Sequence, residues 1–200
     1  MTNFLLVVAI LLFILALGLP VAFSLGMTSL ILIQVFHLPI KIIGTTMWSS
    51  LESFNTLSIP IFILMSQILL DGKVGDDLFE VMNTWVRHLP GGLGIGTILA
   101  CAFFAAITGS GAATAATIGM VAYPALIKHG YDKTLTLGLL AAGGTLGILI
   151  PPSIPMIIYA TVTEDSTGKL FMAGVVPGLL LATLFIVYVV YKSKHGGYTS

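Results

Sequence analysis

The residues Gly147-Ile148-Leu149-Ile150-Pro151-Pro152-Ser153-Ile154-Pro155 interrupt a long apolar segment of the chain. Three prolines within five residues remove backbone donors and force the preceding residues toward extended conformations, so a regular helix cannot continue through them. The flanking residues 135–150 and 156–161 are apolar and predict two half-helices. The sequence therefore predicts a discontinuous helix over 135–160, with a merely kinked helix as the alternative.

A second interruption lies upstream, within the uncharged residues 93–127, where Thr108-Gly109-Ser110-Gly111 divides the segment. An ordinary loop between two full membrane spans reaches headgroups or water and carries charged residues, Trp or Tyr, whereas this one carries none. The pattern predicts a re-entrant helical hairpin with helices 93–107 and 112–127. Its tip would lie near the middle of the membrane.

Both interruptions would leave unpaired backbone groups at membrane depth, which is tolerated only where they are buried in protein or line a cavity. At the hairpin tip, free carbonyls and the hydroxyls of Thr108, Ser110 and Thr114 suit a small hard cation such as sodium. The N-terminus of the second helix suits an anionic group of a substrate. Small residues also let membrane helices approach closely, so a packing motif is an equally open interpretation.

The composition indicates that the folded chain is surrounded by lipid rather than water. Hydrophobic residues make up 57% and charged residues 8% of its 200 residues, and the mean hydropathy is +1.08. This balance predicts an all-α integral membrane protein, a bundle of transmembrane helices from a bacterial inner membrane. Eight basic and eight acidic residues cancel, so the charge gives no sign of nucleic-acid binding. The single cysteine, Cys101, excludes an intrachain disulfide and is expected to be a packing residue.

The other apolar runs define the remaining helices. Gly18-Leu19-Pro20 divides the first run into helices 4–17 and 21–36, with one kinked span as the alternative. A partly polar link over 37–55 is expected at the membrane interface. Ser58-Ile59-Pro60 predicts that the next helix begins with Pro60 in its first turn. The last apolar run covers 170–191.

The charged stretch 71–90 carries apolar residues at helical spacing, namely Leu78, Val81, Met82, Trp85 and Val86. This spacing predicts an amphipathic helix that either lies flat on the membrane or clamps a neighbouring helix. Four segments follow from these boundaries. They are scaffold helices over 1–70, an interfacial arm helix over 71–90, half of a transport domain over 91–160, and a last transmembrane helix with a polar tail over 161–200.

The basic residues predict how the chain is oriented. Six of the eight lie in the stretch 71–90, in the link 128–133 and in the tail after Tyr191. By the positive-inside rule these three regions face the cytoplasm. The links that carry Lys41 and Glu52, or Glu164 and Asp165, would then face the periplasm.

Four motifs together resemble a known family, the large membrane subunit (DctM-like) of tripartite ATP-independent periplasmic (TRAP) transporters. The resemblance runs from the first residues to about Tyr191. The motifs are Gly18-Leu19-Pro20-Val21-Ala22-Phe23, Ser58-Ile59-Pro60-Ile61-Phe62-Ile63-Leu64, Ile107-Thr108-Gly109-Ser110-Gly111-Ala112-Ala113-Thr114 and Gly147-Ile148-Leu149-Ile150-Pro151-Pro152-Ser153-Ile154-Pro155.

The resemblance implies a secondary transporter that moves carboxylate-bearing solutes inward with sodium as the coupling ion. It implies two partners, a periplasmic solute-binding protein and a small DctQ-like membrane subunit. It further implies an elevator fold of two inverted repeats, each with a hairpin and a broken helix around a sodium and substrate site. The site residues it implies are Thr108, Gly109, Ser110, Gly111 and Thr114 in the hairpin, and Gly144, Thr145, Pro151, Pro152 and Ser153 in the broken helix.

The chain departs from the family in length. Members are about twice as long, and one hairpin and one broken helix correspond to the first repeat alone. The chain is therefore expected to be either a fragment or one of two separately encoded halves.

Other classes of protein explain less of the sequence. No enzyme is expected, because the four histidines all fall in links or the tail and Ser110 has no evident base nearby. A scaffold subunit that binds no ion would explain the stretch 71–90 but not the two breaks in helices. A different sodium-coupled anion transporter of similar design is the remaining alternative.

Overall fold

A computed structural model describes residues 2–196, which form ten α-helices and no β-strand. The predicted all-α class is confirmed. In chain order the helices are α1 Thr2–Ala16, α2 Val21–Val35, α3 Lys41–Glu52, α4 Phe54–Asp71, α5 Val74–Val86, α6 Gly92–Thr108, α7 Gly111–Lys128, α8 Lys133–Leu149, α9 Ile154–Thr163 and α10 Thr167–Gly196. The last residues of the predicted polar tail, 197–200, lie outside the described part of the chain.

The chain divides into two compact units at residues 52 and 53. The first unit holds α1, α2 and α3, and two separate helices before residue 36 are confirmed. Gly18 lies between α1 and α2 with a φ of +80°, a conformation that glycine adopts without steric cost. Pro20 follows and directly precedes α2. The link predicted over 37–55 is largely helical, because α3 occupies Lys41–Glu52.

The second unit is built around α6. Ile98, Cys101 and Phe104 on this helix are fully buried, and α5, α7, α8 and α10 all contact it. Glycines bring the backbones close together. A Cβ added to Gly143 of α8 would lie 2.6 Å from the sulfur of Cys101. The expected packing role of Cys101 is confirmed by this contact and its burial.

The helix α5 packs along α6 rather than standing apart from it. A Cβ on Gly96 of α6 would lie 3.1 Å from the Cα of Asn83, and one on Gly75 of α5 would overlap a methyl carbon of Thr117 on α7. The predicted helix is confirmed, and its contacts favour the clamping alternative. The predicted apolar face was only partly right, because Met82 is buried while Trp85 is 64% exposed.

The predicted start of α4 was wrong. The helix begins at Phe54, and Pro60 lies inside it. Ser53 explains the earlier start, since its hydroxyl accepts a hydrogen bond from the N–H of Thr56 at 3.2 Å and caps the helix. Pro60 leaves one backbone carbonyl of the preceding turn without its helical donor.

The helices leave large apolar side chains on the surface. Phe4, Phe13 and Phe23 are each about two-thirds exposed, an arrangement that suits contact with lipid and not with water. Two helical stretches, Lys133–Thr163 and Thr167–His195, are long and apolar enough to cross a bilayer by length and composition. The second contains the predicted run 170–191, so the fold agrees with a membrane helix bundle.

Candidate functional site

The first interruption forms the turn between α6 and α7. Each predicted hairpin helix extends one residue further at both ends, to Gly92–Thr108 and Gly111–Lys128. Gly109 has a φ of +62° and its N–H bonds to the carbonyl of Ala105 at 2.8 Å, which ends α6. Ser110 caps α7, because its hydroxyl accepts a hydrogen bond from the N–H of Ala113 at 3.4 Å.

Three predicted hydroxyls gather at this turn. The Thr108 and Thr114 hydroxyl oxygens lie 3.4 Å apart, and both side chains are fully buried. The Thr114 hydroxyl donates to the Ser110 carbonyl at 2.8 Å, and the Thr108 hydroxyl donates to the Phe104 carbonyl at 3.0 Å. The hairpin turn is therefore lined with neutral oxygen atoms.

The second interruption, residues 150–153, lies against the first. The N–H of Ile154, at the start of α9, donates to the Gly109 carbonyl at 3.2 Å. A Cβ added to Gly109 would lie 2.7 Å from the Pro152 carbonyl oxygen and 3.3 Å from the Cα of Ser153. Two segments about forty residues apart in sequence thus meet through backbone atoms, and Pro151 and Pro152 are half-buried beside the turn.

The end of α8 packs against the start of α7 through glycines. A Cβ on Gly111 would lie 2.5 Å from the Gly144 carbonyl oxygen, and one on Gly147 would lie 2.6 Å from the Gly111 nitrogen. No side chain fits at these positions without a shift of backbone. Gly147, which was not among the predicted site residues, thus holds the turn in place, and the small-residue packing role applies to all three glycines.

Ser153 carries a buried polar atom that the fold leaves without a partner. Its side chain is fully buried, and among residues 2–196 its hydroxyl oxygen has no hydrogen-bond partner. It stands at the N-cap position of α9 but makes no side-chain capping bond. A buried hydroxyl left unpaired costs about 1–3 kcal/mol, so this oxygen is a candidate ligand atom.

Thr145 lies away from the other predicted residues. Its side chain is exposed, and its hydroxyl donates to the Ala142 carbonyl of its own helix at 2.6 Å. Gly144 and Gly147 share the buried face of α8, whereas Thr145 follows Gly144 by one residue and so points about 100° away.

One residue of the site was missed by the sequence analysis. Ser66 of α4 is buried, and its hydroxyl lies 2.8 Å from the Thr108 carbonyl oxygen and 2.8 Å from the Phe62 carbonyl oxygen. A cavity of about 150 Å³ adjoins it, lined in part by Gln67 and Ser110. The signal was present, because Ser66 and Gln67 are polar residues inside the run 57–70, which is apolar apart from them and Ser58.

These observations define an all-helical membrane protein in which four helix ends meet around neutral oxygens. The family model described as "Tripartite ATP-independent periplasmic transporter, DctM component" matches residues 8–200. The chain therefore belongs to the DctM family of TRAP transporter large permeases.

Individual relatives agree with this assignment. The C4-dicarboxylate TRAP transporter large permease protein DctM of Pseudomonas aeruginosa is 40% identical over 174 residues, covering 86% of this chain and 41% of that protein. The protein of the same name from Rhodobacter capsulatus is 38% identical over 196 residues, covering 90% and 44%. The isethionate TRAP transporter permease protein DctMQ of Oleidesulfovibrio alaskensis is 38% identical over 185 residues, covering 92% and 29%. The chain spans less than half the length of these relatives.

Proposed function

We propose that the chain forms the first half of the large permease of a sodium-coupled TRAP transporter in a bacterial inner membrane. The transporter imports organic acids that a periplasmic solute-binding protein delivers, and a small DctQ-like membrane subunit accompanies the permease. Family membership supports this role, as do relatives named for C4-dicarboxylates and isethionate, which are all organic anions. The relative named DctMQ supports the association with a DctQ-like subunit.

In this proposal, α6 and α7 form a re-entrant hairpin with its tip near the middle of the membrane, and α8 and α9 are the halves of a discontinuous helix. The observation that carries the proposal is the contact between the two interruptions, where the Ile154 N–H meets the Gly109 carbonyl at 3.2 Å. Irregular backbone at that depth requires burial in protein or a lined cavity, and each interruption supplies the burial of the other.

In this proposal, the C-terminal and N-terminal helix ends bind different ligands. The C-terminal ends of α6 and α8 carry partial negative charge and suit sodium, together with the hydroxyls of Thr108, Ser110, Thr114 and Ser153. The N-terminal ends of α7 and α9 carry partial positive charge and suit the carboxylate of the solute. Gly109, Gly111, Gly144, Pro151 and Pro152 contribute backbone oxygens or close approach, whereas Thr145, on the exposed face of α8, is left out of the proposed site.

The chemistry of the oxygen atoms at the four helix ends decides whether these residues fit sodium. They belong to carbonyls and hydroxyls, with the buried Ser153 hydroxyl unpaired among residues 2–196. Neutral oxygens suit a monovalent hard cation, and discontinuous helices of transporters use the same donors for sodium. The residues therefore fit the ion that the proposal requires.

Cysteine labelling in the assembled transporter tests the proposal. In a Cys101→Ala background, the Ala112→Cys variant is treated with a small thiol reagent in sodium or in potassium at equal ionic strength. Ala112 is exposed beside the hairpin turn, and this substitution keeps every proposed sodium ligand. We expect sodium to slow the labelling, because the ion holds the hairpin turn closed around it. The control is Thr134→Cys, at an exposed position in the first turn of α8, where the two cations should give equal rates. Equal rates at position 112 would refute the sodium site and favour a scaffold subunit that binds no ion.

A further inference from the structure

The helices α8 and α10 touch at one end and separate toward the other. A Cβ on Gly174 of α10 would lie 2.8 Å from the Leu149 carbonyl oxygen, and one on Gly178 would lie 3.0 Å from a side-chain carbon of Ile150. Toward the start of α8 the two helices enclose an open cavity of about 600 Å³. We refer to this cavity as the α8–α10 groove.

The groove has an apolar lining and a charged mouth. Its lining residues include Leu135, Gly138, Leu139, Ala142, Phe185 and Tyr188. Gly138 gives the groove its depth, because a Cβ added there would meet nothing within 4 Å. Asp132 and Lys192 stand at the end where α8 begins and α10 approaches its last residues.

The two charges at the mouth are available to a ligand. Asp132 caps α8, since one carboxylate oxygen accepts hydrogen bonds from the N–H groups of Thr134 at 2.9 Å and Leu135 at 3.1 Å. Within residues 2–196, neither Asp132 nor Lys192 forms an ion pair with an opposite charge. The mouth therefore presents one carboxylate and one ammonium group beside an apolar channel.

We propose that the α8–α10 groove is a binding site for one phospholipid with an ethanolamine headgroup. One acyl chain lies along the apolar lining, the phosphate pairs with Lys192, and the primary ammonium of the headgroup pairs with Asp132. This headgroup carries the two charges that complement the mouth. Phosphatidylglycerol has no cation for Asp132, and the quaternary ammonium of phosphatidylcholine cannot donate a hydrogen bond.

The shape of the groove also favours a lipid over a protein segment. Its volume lies within the range of about 300–1,000 Å³ that is typical of small-ligand pockets. The groove lies between two helices that converge to direct contact at Gly174 and Gly178, which suits the end of a flexible acyl chain better than a helix about 10–12 Å across. Tyr188 at the mouth is of the residue type that is enriched at the headgroup level of membranes.

Native mass spectrometry of the chain in its membrane assembly tests the site. The sample is titrated with phosphatidylethanolamine, phosphatidylglycerol and phosphatidylcholine that have identical acyl chains. One charge pair at a membrane surface and one hydrogen bond are each worth a factor of about five in affinity. We therefore expect the ethanolamine lipid to bind about fivefold more tightly than phosphatidylglycerol, which lacks the cation, and than phosphatidylcholine, which lacks the hydrogen bond. Asp132→Asn keeps a capping oxygen but should remove this preference. Lys192→Met should weaken binding of all three lipids about fivefold.

Two substitutions by phenylalanine distinguish lipid binding in the groove from lipid binding elsewhere on the surface. Gly138→Phe fills the groove and should remove the bound lipid, whereas Gly26→Phe in α2, where a Cβ also meets nothing within 4 Å, should leave it bound. Equal affinity for the three lipids, or equal occupancy in the two phenylalanine variants, would overturn the proposal. A photoreactive amino acid at position 142 that cross-links to a protein segment instead of lipid would overturn it as well. None of these outcomes depends on sodium binding.

Discussion

At the scale of single residues, Gly147 lies too close to the backbone of the hairpin turn to accept a side chain. A Cβ there would lie 2.6 Å from the nitrogen and 2.8 Å from the Cα of Gly111, and 2.8 Å from the carbonyl carbon of Ser110. All three are backbone atoms, so the hairpin turn must move to admit a methyl group. We expect Gly147→Ala to lower the free energy of unfolding by about 1–3 kcal/mol, measured by thermal unfolding in detergent micelles.

The control for this substitution lies on the same helix. A Cβ on Gly138 meets nothing within 4 Å, so Gly138→Ala should be neutral or should raise stability by up to about 1 kcal/mol through helix propensity. If the two alanine variants unfold at the same temperature, the close packing of α8 against the hairpin turn does not contribute to stability.

Ser153 and Ser193 form a second matched pair. Both are buried serines whose hydroxyls lack a hydrogen-bond partner among residues 2–196. Ser153 lies beside the Gly109 turn, whereas Ser193 lies beside Gly91 at the opposite end of α6. Neither alanine substitution should destabilise the fold, because each removes an unpaired group. We expect Ser153→Ala alone to weaken sodium binding, by about tenfold, because it removes one ion contact. The half-saturating sodium concentration for transport is the measurement, and equal values in the two variants would remove Ser153 from the proposed site.

Sequence alone predicted the bounds of α6 and α7 to within one residue, but it missed Ser66 of α4. The hydroxyls of Thr108, Ser110 and Thr114 are close in sequence, so the turn chemistry determined where they meet. Ser66 bonds to a carbonyl 42 residues away, and such a partner cannot be read from local pattern. Thr145 was implied as a site residue by the family resemblance, but helical periodicity turns its side chain to the exposed face.

At the scale of elements, the polarity of the helices explains why the two interruptions meet. The N–H groups at the start of α9 need acceptors, and the Gly109 carbonyl at the end of α6 supplies one to Ile154 at 3.2 Å. The apolar runs predicted that the helices exist, whereas the residues at which a helix begins and ends depend on capping. Because Ser53 caps α4, the helix begins six residues before Pro60. The position of the proline gives no information about this cap.

A side-chain hydrogen bond joins α4 to the hairpin turn. Ser66 has one hydroxyl proton but two carbonyl acceptors at 2.8 Å, on Phe62 of its own helix and on Thr108 of α6. We expect Ser66→Ala to lower the free energy of unfolding by about 1 kcal/mol and to speed hydrogen exchange at the amides of Gly109 and Ser110. Ser66→Thr, which keeps the hydroxyl, should restore slow exchange.

The control is Ser29→Ala in α2. The Ser29 hydroxyl donates only to the Leu25 carbonyl of its own helix, at 2.9 Å, and the side chain is exposed. This substitution should leave exchange at the hairpin turn unchanged. If Ser66→Ala also leaves it unchanged, the hydroxyl bonds within α4 and α4 does not hold the turn.

At the scale of the whole molecule, basic residues gather at one end of the second unit. Gly91 lies beside Ser193, and the Gly94 N–H donates to the Tyr131 hydroxyl at 3.4 Å, so α6 and α8 begin where α10 ends. The basic residues near this end are Arg87, Lys128, Lys133, Lys192 and Lys194. The opposite end carries Glu164, Asp165 and Lys169, and there the Thr167 hydroxyl donates to the side-chain carbonyl of Asn55 at 3.0 Å.

The position of the basic residues predicts how the second unit is oriented in the membrane. The stretches Lys133–Thr163 and Thr167–His195 are each long enough to cross a bilayer, and they return to the basic end after one acidic turn. Because basic residues are retained on the cytoplasmic side, that end should face the cytoplasm. In a Cys101→Ala background, we expect a membrane-impermeant maleimide to label Asp165→Cys in intact cells and to label Lys194→Cys only after the membrane is permeabilised. The unsubstituted background gives the level of non-specific labelling. Labelling of position 194 in intact cells would reverse the orientation, and labelling of both positions would mean that α10 does not cross the membrane.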